Sequence, residues 1–589
     1  MKYKNGVKTL LLMLMLVFAL TACKTGKDPE PTQEAPTTTE ALTTATQEDG
    51  TKPVETEGTA QTTQVPEDTK PVDPRPTVVT DPILSVKSGF YNNAFELEMT
   101  ATEGAEIRYT TDGSEPTEKS QLYTQAIPIS ESKDKILKAT IIRARTFGAN
   151  ENVSDITTEV YFVGSGAEER FRDIVISIVG DPAGLTGATR GIFSNRNYNN
   201  RGREWERAVS IKMWDSDGNL VLDQDGGVRV YGAYSRQYAL KSMKIFSRKS
   251  YDAEHPDFET DIFQTPKANG VDVMSVYDKL VIRSGGNDFQ FAFMRDELNH
   301  LLLQEAGYPD YENVLPAVVY LNGKYYGYFW LHESYCDDYF KEKYGKKEGG
   351  RGDFIVIEGS EKEKKTDDDD EDQNKAAAEY NEMYAKYAEA DLTDDAIYEE
   401  LRKTIDVENY LDYFAVNLII NNKDWPNNNY KCFRYYASNG EEYGEGVYDG
   451  RWRYLPHDMD YSYSIYGQYE VMPEYDMLEV LLRKNDERSA PLFASLMKRE
   501  DCKKYFKDKV VNLLETTFSE DSISALLNRI MEEREYEMDY YFTYLEQLSH
   551  TDRSVWANPF SFASFVDQIR DYIKRRPAIL LEILEKRLP

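Results

Sequence analysis

The 589-residue chain carries 103 acidic against 70 basic side chains, a formal charge of −33. So acidic a protein excludes a nucleic-acid partner, because phosphate backbones demand clustered Lys and Arg. The length exceeds one ordinary domain and predicts two or three.

Residues 1–22 read as an export signal: Lys2, Lys4 and Lys8 precede an unbroken apolar run from Leu10 to Leu20, too short to span a bilayer comfortably. The run ends in Leu-Thr-Ala-Cys, which resembles the lipobox of bacterial lipoproteins and implies lipidation at Cys23. The expected location is then the outer face of a bacterial cell membrane, reached through lipid on Cys23. Residues 23–81 are rich in Thr, Pro and Glu with hardly an aromatic, the composition of a disordered tether. Cys336, Cys432 and Cys502 are widely spaced and odd in number, so they predict buried thiols rather than a disulfide framework.

At residue 82 the texture changes to short alternating runs, FELEMTA, EIRYTTD, ILKATIIRART and EVYFV, separated by Gly and Pro turns. These predict a small all-β sandwich over 82–165, with Asp112-Gly113 as its tight hairpin turn. The stretch Ile107-Arg-Tyr-Thr-Thr-Asp-Gly-Ser-Glu-Pro-Thr resembles the chitobiase/β-hexosaminidase C-terminal module, an immunoglobulin-like appendage of carbohydrate-active proteins. That resemblance implies a polysaccharide contact, with a spacer role as the alternative.

Residues 170–589 read as α+β. Strands are expected at DIVISIVG, AVSIKMWD, GVRVYG and KSMKIFS, an amphipathic helix from Arg295 to Ala306, and two more strands at AVVYLNG and YYGYFWL. The acidic run from Asp367 to Asp372 reads as a solvated insertion, and the pattern turns helical after residue 475.

Two features carry chemistry. The helix Val407 to Ile420 runs into NNKDWPNNNY, where Asp424 and Asn429 have the Asp-x4-Asn spacing of a kinase catalytic loop. In such a loop the Asp accepts a hydroxyl proton and the Asn holds a metal ion; a plain polar turn is the bland alternative. Downstream, Trp452-Arg-Tyr-Leu-Pro-His-Asp-Met-Asp reads as a strand ending in Asp458 and Asp460, both on one face and repelling unless a cation joins them. Upstream, Arg229, Ser235, Arg236, Lys241 and Lys244 surround a turn at Gly232 and offer a phosphate cradle. Lys241 and Lys244 have opposite strand parity, and motif position favours Lys241.

The ordered motifs Gly227-Val-Arg-Val-Tyr-Gly…Ser-Arg…Lys-Ser, Leu280-Val-Ile-Arg-Ser-Gly-Gly-Asn-Asp, Met294-Arg-Asp, Tyr320-Leu-Asn-Gly-Lys-Tyr-Tyr-Gly…Glu333, Asp424-Trp-Pro-x-Asn-Asn and Asp458-Met-Asp460 resemble the spore-coat protein H (CotH) kinase family. The resemblance implies an atypical protein-kinase fold using ATP with Mg²⁺ or Mn²⁺ on Ser or Thr of surface or secreted proteins. It implies Asp424 as catalytic base, Asn429, Asp458 and Asp460 as metal ligands, and Glu333 near the adenine. Arg283, Asn287, Asp288, Arg295, Asp296 and Asn428 are further site-lining candidates. Two departures from the family's pattern stand out: Gly-Ala-Tyr-Ser-Arg replaces Gly-Asn-Ser-Ser, and Tyr-Ser-Tyr follows Asp460 where relatives often place Phe-Gly. The alternative is a catalytically silent surface scaffold or adhesion protein. Glu297 or Glu305 is expected to pair with the nucleotide lysine, and His332 and His457 read as isolated.

Overall fold

The computed structural model describes residues 73–365, 371–484 and 486–589. The expected signal segment, Cys23, the tether up to residue 72 and the start of the acidic run lie outside these residues.

The first region is the expected β-rich one. Its main sheet orders Gly89–Tyr91, Thr157–Val163, Ala139–Phe147, Glu106–Thr110 and Gln121–Leu122. Two strand pairs, Ile83–Leu84 with Met99–Thr100 and Phe95–Leu97 with Ile127–Ile129, complete it. Leu84, Leu97, Met99 and Ile129 from these pairs share one core with Ile107, Ile142, Ala144 and Tyr161 from the sheet. At the hairpin turn, Asp112 Oδ1 accepts from the Ser114 amide (3.0 Å) while Gly113 takes φ +93°, the conformation that favours glycine.

Seven strands follow: β1 (Ile174–Val179), β2 (Arg207–Trp214), β3 (Leu220–Val230), β4 (Met243–Phe246), β5 (Lys279–Arg283), β6 (Val314–Leu321) and β7 (Lys324–His332). They form a closed barrel in the order β1-β2-β3-β4-β5-β7-β6. Neighbours are antiparallel except β6 and β1, whose parallel register, Ile174 opposite Ala317, closes the ring. Closure explains why β1, apolar except for Ser177, is buried at every position. Helix α1 (Arg295–Glu305) follows β5.

The β-region and the barrel are packed into one body. Along Thr157–Val163, Tyr161 and Val163 face the first core, whereas Val160 and Phe162 join the barrel's core. That alternation follows the period-2 geometry of a strand buried on both faces. Phe162 sits edge-on to Trp214 and Tyr320, with ring centroids 5.7 and 4.9 Å away. The Ala139 amide donates to Gly323 O (2.9 Å) and the Tyr320 hydroxyl to Leu137 O (2.8 Å).

The last region builds a small sheet from β8 (Asp353–Gly359), β9 (Lys431–Tyr436) and β10 (Arg453–Leu455), with Lys364–Lys365 added at the β8 edge. Helix α2 (Val407–Ile420) packs beside it; the Asp406 carboxylate caps its N-terminus and Asn421, at φ +49°, ends it. The expected helical remainder includes α3 (Glu520–Ser549) and α4 (Pro559–Arg587). No helix among the described residues is long and apolar enough to cross a membrane. Cys432 and Cys502 are buried free thiols, and Cys336 is a half-buried one.

Candidate active site

The loop leaving α2 is held from three sides. The Lys423 amide donates to Tyr461 O (2.9 Å), the Glu361 amide to Pro426 O (2.8 Å), and the Tyr430 amide to Gly359 O (3.1 Å). Trp425 is buried against Phe414 and Tyr413 of α2. Asp424 is therefore presented half-buried on an anchored loop. Burial, and then the charge of Asp458, push its carboxyl up to about 6, with Lys423 pulling the other way. Asn429 takes φ +54° and donates from Nδ2 to Asp458 O (3.4 Å), while Asn428 Nδ2 donates to Asn429 Oδ1 (3.0 Å). A cavity of about 440 Å³ opens beside the loop, lined by Pro426, Asn427, Asn428, Ser360 and Lys362 among others.

Asp458 and Asp460 do converge, but not by strand geometry. The strand β10 ends at Leu455, and Asp458 has φ +50°, outside any strand conformation. The cation that joins them is Arg283, at the end of β5. Its Nη2 donates to Asp458 Oδ1 (2.5 Å) and Asp460 Oδ2 (2.8 Å). Asp296 of α1 completes the arrangement: its Oδ2 lies 3.4 Å from Arg283 Nε, and its Oδ1 accepts from the Met459 amide (2.6 Å). Asn287 closes over Asp460, donating its amide to Oδ2 (2.7 Å) and its Nδ2 to Oδ1 (2.9 Å). Gly286, at φ +55°, is the residue type this close approach requires, because a Cβ there would overlap the Asp460 carboxylate. Burial first, then Asp458, push the Asp460 carboxyl well above the carboxylate range, against the pull of Arg283. Asp458 remains the more accessible acid, with 29 % of its side chain exposed.

The expected phosphate cradle divides. Lys244 of β4 lies with its Nζ 4.8 Å from the centre of the Tyr231 ring, next to Lys431 and Glu358 of the small sheet. Burial, with Lys431 and Lys279 nearby, brings its ammonium down to about 8. Tyr231 in turn feels the charge of Asp458. Lys241, favoured on motif position, lies before β4 beside Tyr238, which feels the charge of Asp460. Its Nζ is buried against Tyr238 O (2.8 Å) and Asn195 Oδ1 (3.3 Å), and burial brings it down to about 8.

Arg236 is buried and donates to the carbonyls of Gly232, Val230, Tyr198 and Asn200, so it builds the turn rather than lining it. Ser235 is half-buried in that turn. Arg229 lies over the Phe246 ring and 3.5 Å from Glu206. Asp288 pairs with Arg295 and accepts from the Met294 and Arg295 amides (both 2.9 Å) at the start of α1, while Arg295 also donates to Gln568 (3.1 Å). Glu333 is buried, accepting from Thr265 Oγ1 (2.6 Å), the Tyr277 hydroxyl and the Asn313 amide (both 3.0 Å). Its carboxylate is committed inside the barrel region, not offered to a ligand.

Residues 228–580, more than half of the chain, match the family described as CotH kinase protein. The chain belongs to the CotH kinase family. Residues 86–158 match the chitobiase/beta-hexosaminidase C-terminal domain. No curated protein matches the chain.

Membership in the CotH family implies a nucleotide and a divalent metal, and the acids present suit the metal. Asp424 and Asp458 are two carboxylates close enough for one charge to raise the other's pKa, which is where a divalent cation is accommodated. Asn429, which hydrogen-bonds the Asp458 backbone, places a neutral amide oxygen nearby, now accepting from Asn428 Nδ2.

Other residues of this CotH domain carry no spacing signal. His332 and His457 are not isolated: with His300 they surround Glu312 of the loop before β6, at 3.8, 3.3 and 3.5 Å. Neither expected lysine partner is one. Glu297 meets His332 (3.2 Å), and Glu305 meets Arg529 at the surface (2.8 Å). Arg576 of α4, buried, donates to Leu418 O and Asn421 Oδ1 (both 2.8 Å), and so caps the helix that delivers Asp424. Only the helical pattern of α4 was visible beforehand, and nothing in it marked one arginine.

Proposed function

We propose that this chain is an extracytoplasmic, lipid-anchored atypical protein kinase that transfers the γ-phosphate of ATP to Ser or Thr hydroxyls of surface proteins. The observation that carries the reading is the anchored loop that brings Asp424 and Asn429 beside Asp458 within the CotH match. A base near 6 is ionised at neutral pH yet basic enough to take a hydroxyl proton as the bond to phosphorus forms.

Asp424 orients the acceptor hydroxyl and takes its proton. Asp458 and Asn429 would hold Mg²⁺ or Mn²⁺, which when bound would supply charge neutralisation for the phosphate oxygens. Asp460 would join that ligand set only by giving up a hydrogen bond from Asn287 or Arg283, since both its oxygens are engaged. Lys244 and Arg229, cations on neighbouring strands, attract the phosphates. The cavity beside Pro426 and Asn428 seats the acceptor segment. The β-region, fused to the barrel, acts as a spacer or touches polysaccharide at its outer edge.

The chain starting at residue 24, incubated with labelled ATP and Mg²⁺ or Mn²⁺, transfers label to itself or to surface proteins, and Asp424→Ala and Asp458→Ala do not. A second reading has its own observation: Arg283 already joins the carboxylate pair, as it would in a silent scaffold. Absence of nucleotide binding in all three proteins selects the scaffold.

A further inference from the structure

Beneath the Arg283 cluster lies a set of buried groups that phosphoryl transfer does not use. Asp296 and Glu297 on α1 and His332 at the end of β7 each place a ligand atom within 4.8 Å of the others. All three are at most 2 % exposed. His332 Nε2 lies 3.2 Å from Glu297 Oε1, close to the roughly 3.3 Å edge of a tetrahedron whose bonds are about 2.0 Å long.

Two further observations point to a missing ion. Asp296 Oδ2 and Glu297 Oε2 are buried without a hydrogen-bond donor among the described residues. Arg283 Nε approaches Asp296 Oδ2 only to 3.4 Å, while its Nη2 is committed to Asp458 and Asp460. Five carboxylates, Asp296, Glu297, Glu312, Asp458 and Asp460, thus crowd around one guanidinium and three imidazoles. Buried carboxylate oxygens left unpaired are costly, and a bound cation removes that cost.

We propose that Asp296, Glu297 and His332 form a second, buried site for a transition-metal dication, Zn²⁺ or Mn²⁺, separate from the ion that accompanies the nucleotide. Two carboxylates and a neutral imidazole balance a dication, and the imidazole nitrogen favours a transition metal over Mg²⁺ or Ca²⁺. The surroundings have the form of an outer shell. Glu312 Oε2 stands 3.8 Å from His332 Nδ1, the ring nitrogen turned away from the ligands. His300 is not a ligand: its Nδ1 accepts from the Glu312 amide (3.2 Å), leaving the hydrogen on Nε2, which faces Asp296 and Glu312. Because Asp296 also accepts from the Met459 amide, the ion would set the position of the segment carrying Asp458 and Asp460.

The test is metal content, which does not depend on kinase activity. The full chain, produced with Zn²⁺ and Mn²⁺ supplied and then desalted without nucleotide, retains about one equivalent of metal. Asp458→Asn retains it as well, whereas Glu297→Gln and His332→Gln lose it. Co²⁺ added to metal-depleted wild type gives the intense visible absorption of a low-coordinate nitrogen and oxygen site, unchanged by ATP, so the test survives if the two variants fail to fold. Wild type without stoichiometric metal and without that Co²⁺ spectrum overturns the proposal, leaving a proton on His332 as the balancing charge. So does metal retained in both Gln variants, or metal lost from Asp458→Asn.

Discussion

Arg576 Nη2 donates to Asn421 Oδ1 at 2.8 Å across 155 residues of sequence, and this bond ties the C-terminal helix to the loop that carries Asp424. The same guanidinium donates to the carbonyls of Leu418, Pro473 and Tyr475. Replacing it with methionine strands buried acceptors, each costing roughly 1–3 kcal/mol. Arg576→Met is expected to lower unfolding stability by about 4 kcal/mol or more in urea and to reduce transfer more than nucleotide affinity.

Asp424→Asn removes the base while keeping the shape of the loop. Transfer should fall about 10³-fold, the range for loss of a positioned general base. Nucleotide affinity, followed by calorimetry, should stay nearly unchanged. A parallel loss of affinity would mean that Asp424 serves the nucleotide's metal instead.

Lys244 and Lys241 separate cleanly by position. Lys244→Met should weaken ATP binding roughly 10-fold or more, the worth of one charge-assisted contact. Lys241→Met should leave binding nearly intact and lower the melting temperature, because its ammonium is hydrogen-bonded to Tyr238 O and Asn195.

Glu361 gives a pH signature away from the proposed metal ligands. Burial pushes its carboxyl up to about 7 from 4.5, against hydrogen bonds from the Tyr384 and Tyr410 hydroxyls. A raised folded-state pKa means that its stabilising contribution is fully present below 4.5 and is lost as pH rises through 7. Glu361→Gln should therefore match wild type or fall below it at acid pH. Above neutrality it should exceed wild type by about 2–3 kcal/mol in denaturant melts.

Phe162 tests the fusion of the β-region to the barrel. Truncation to alanine should cost about 3–5 kcal/mol, and both regions should still unfold in one transition. Two separate transitions would show independent domains.

Local patterns were legible wherever both causes and consequences were local. The helix Val407 to Ile420 follows from its apolar spacing and ends where expected. Asp112-Gly113 makes its turn, and six of the seven barrel strands lie close to the apolar runs that predict them; β5, which carries Arg283, is not among the expected strands. The pair Asp458 and Asp460 was correctly paired for an incorrect reason, since strand alternation does not apply at φ +50°. Parity separated Lys241 from Lys244: Lys244 faces the Tyr231 ring, and Lys241 bonds Tyr238 O.

By itself the sequence determined the order of the regions, the family and the types of residue that reach the site, because each is written in contiguous patterns. Only the tertiary structure decided which charges meet. Arg283, Asp296 and Asp458 come from three stretches of chain; His300 shares α1 with Asp296, His457 adjoins Asp458, and His332 ends β7, all three meeting around Glu312. Barrel closure and helix docking bring them together, and burial then makes each of those meetings electrostatically strong.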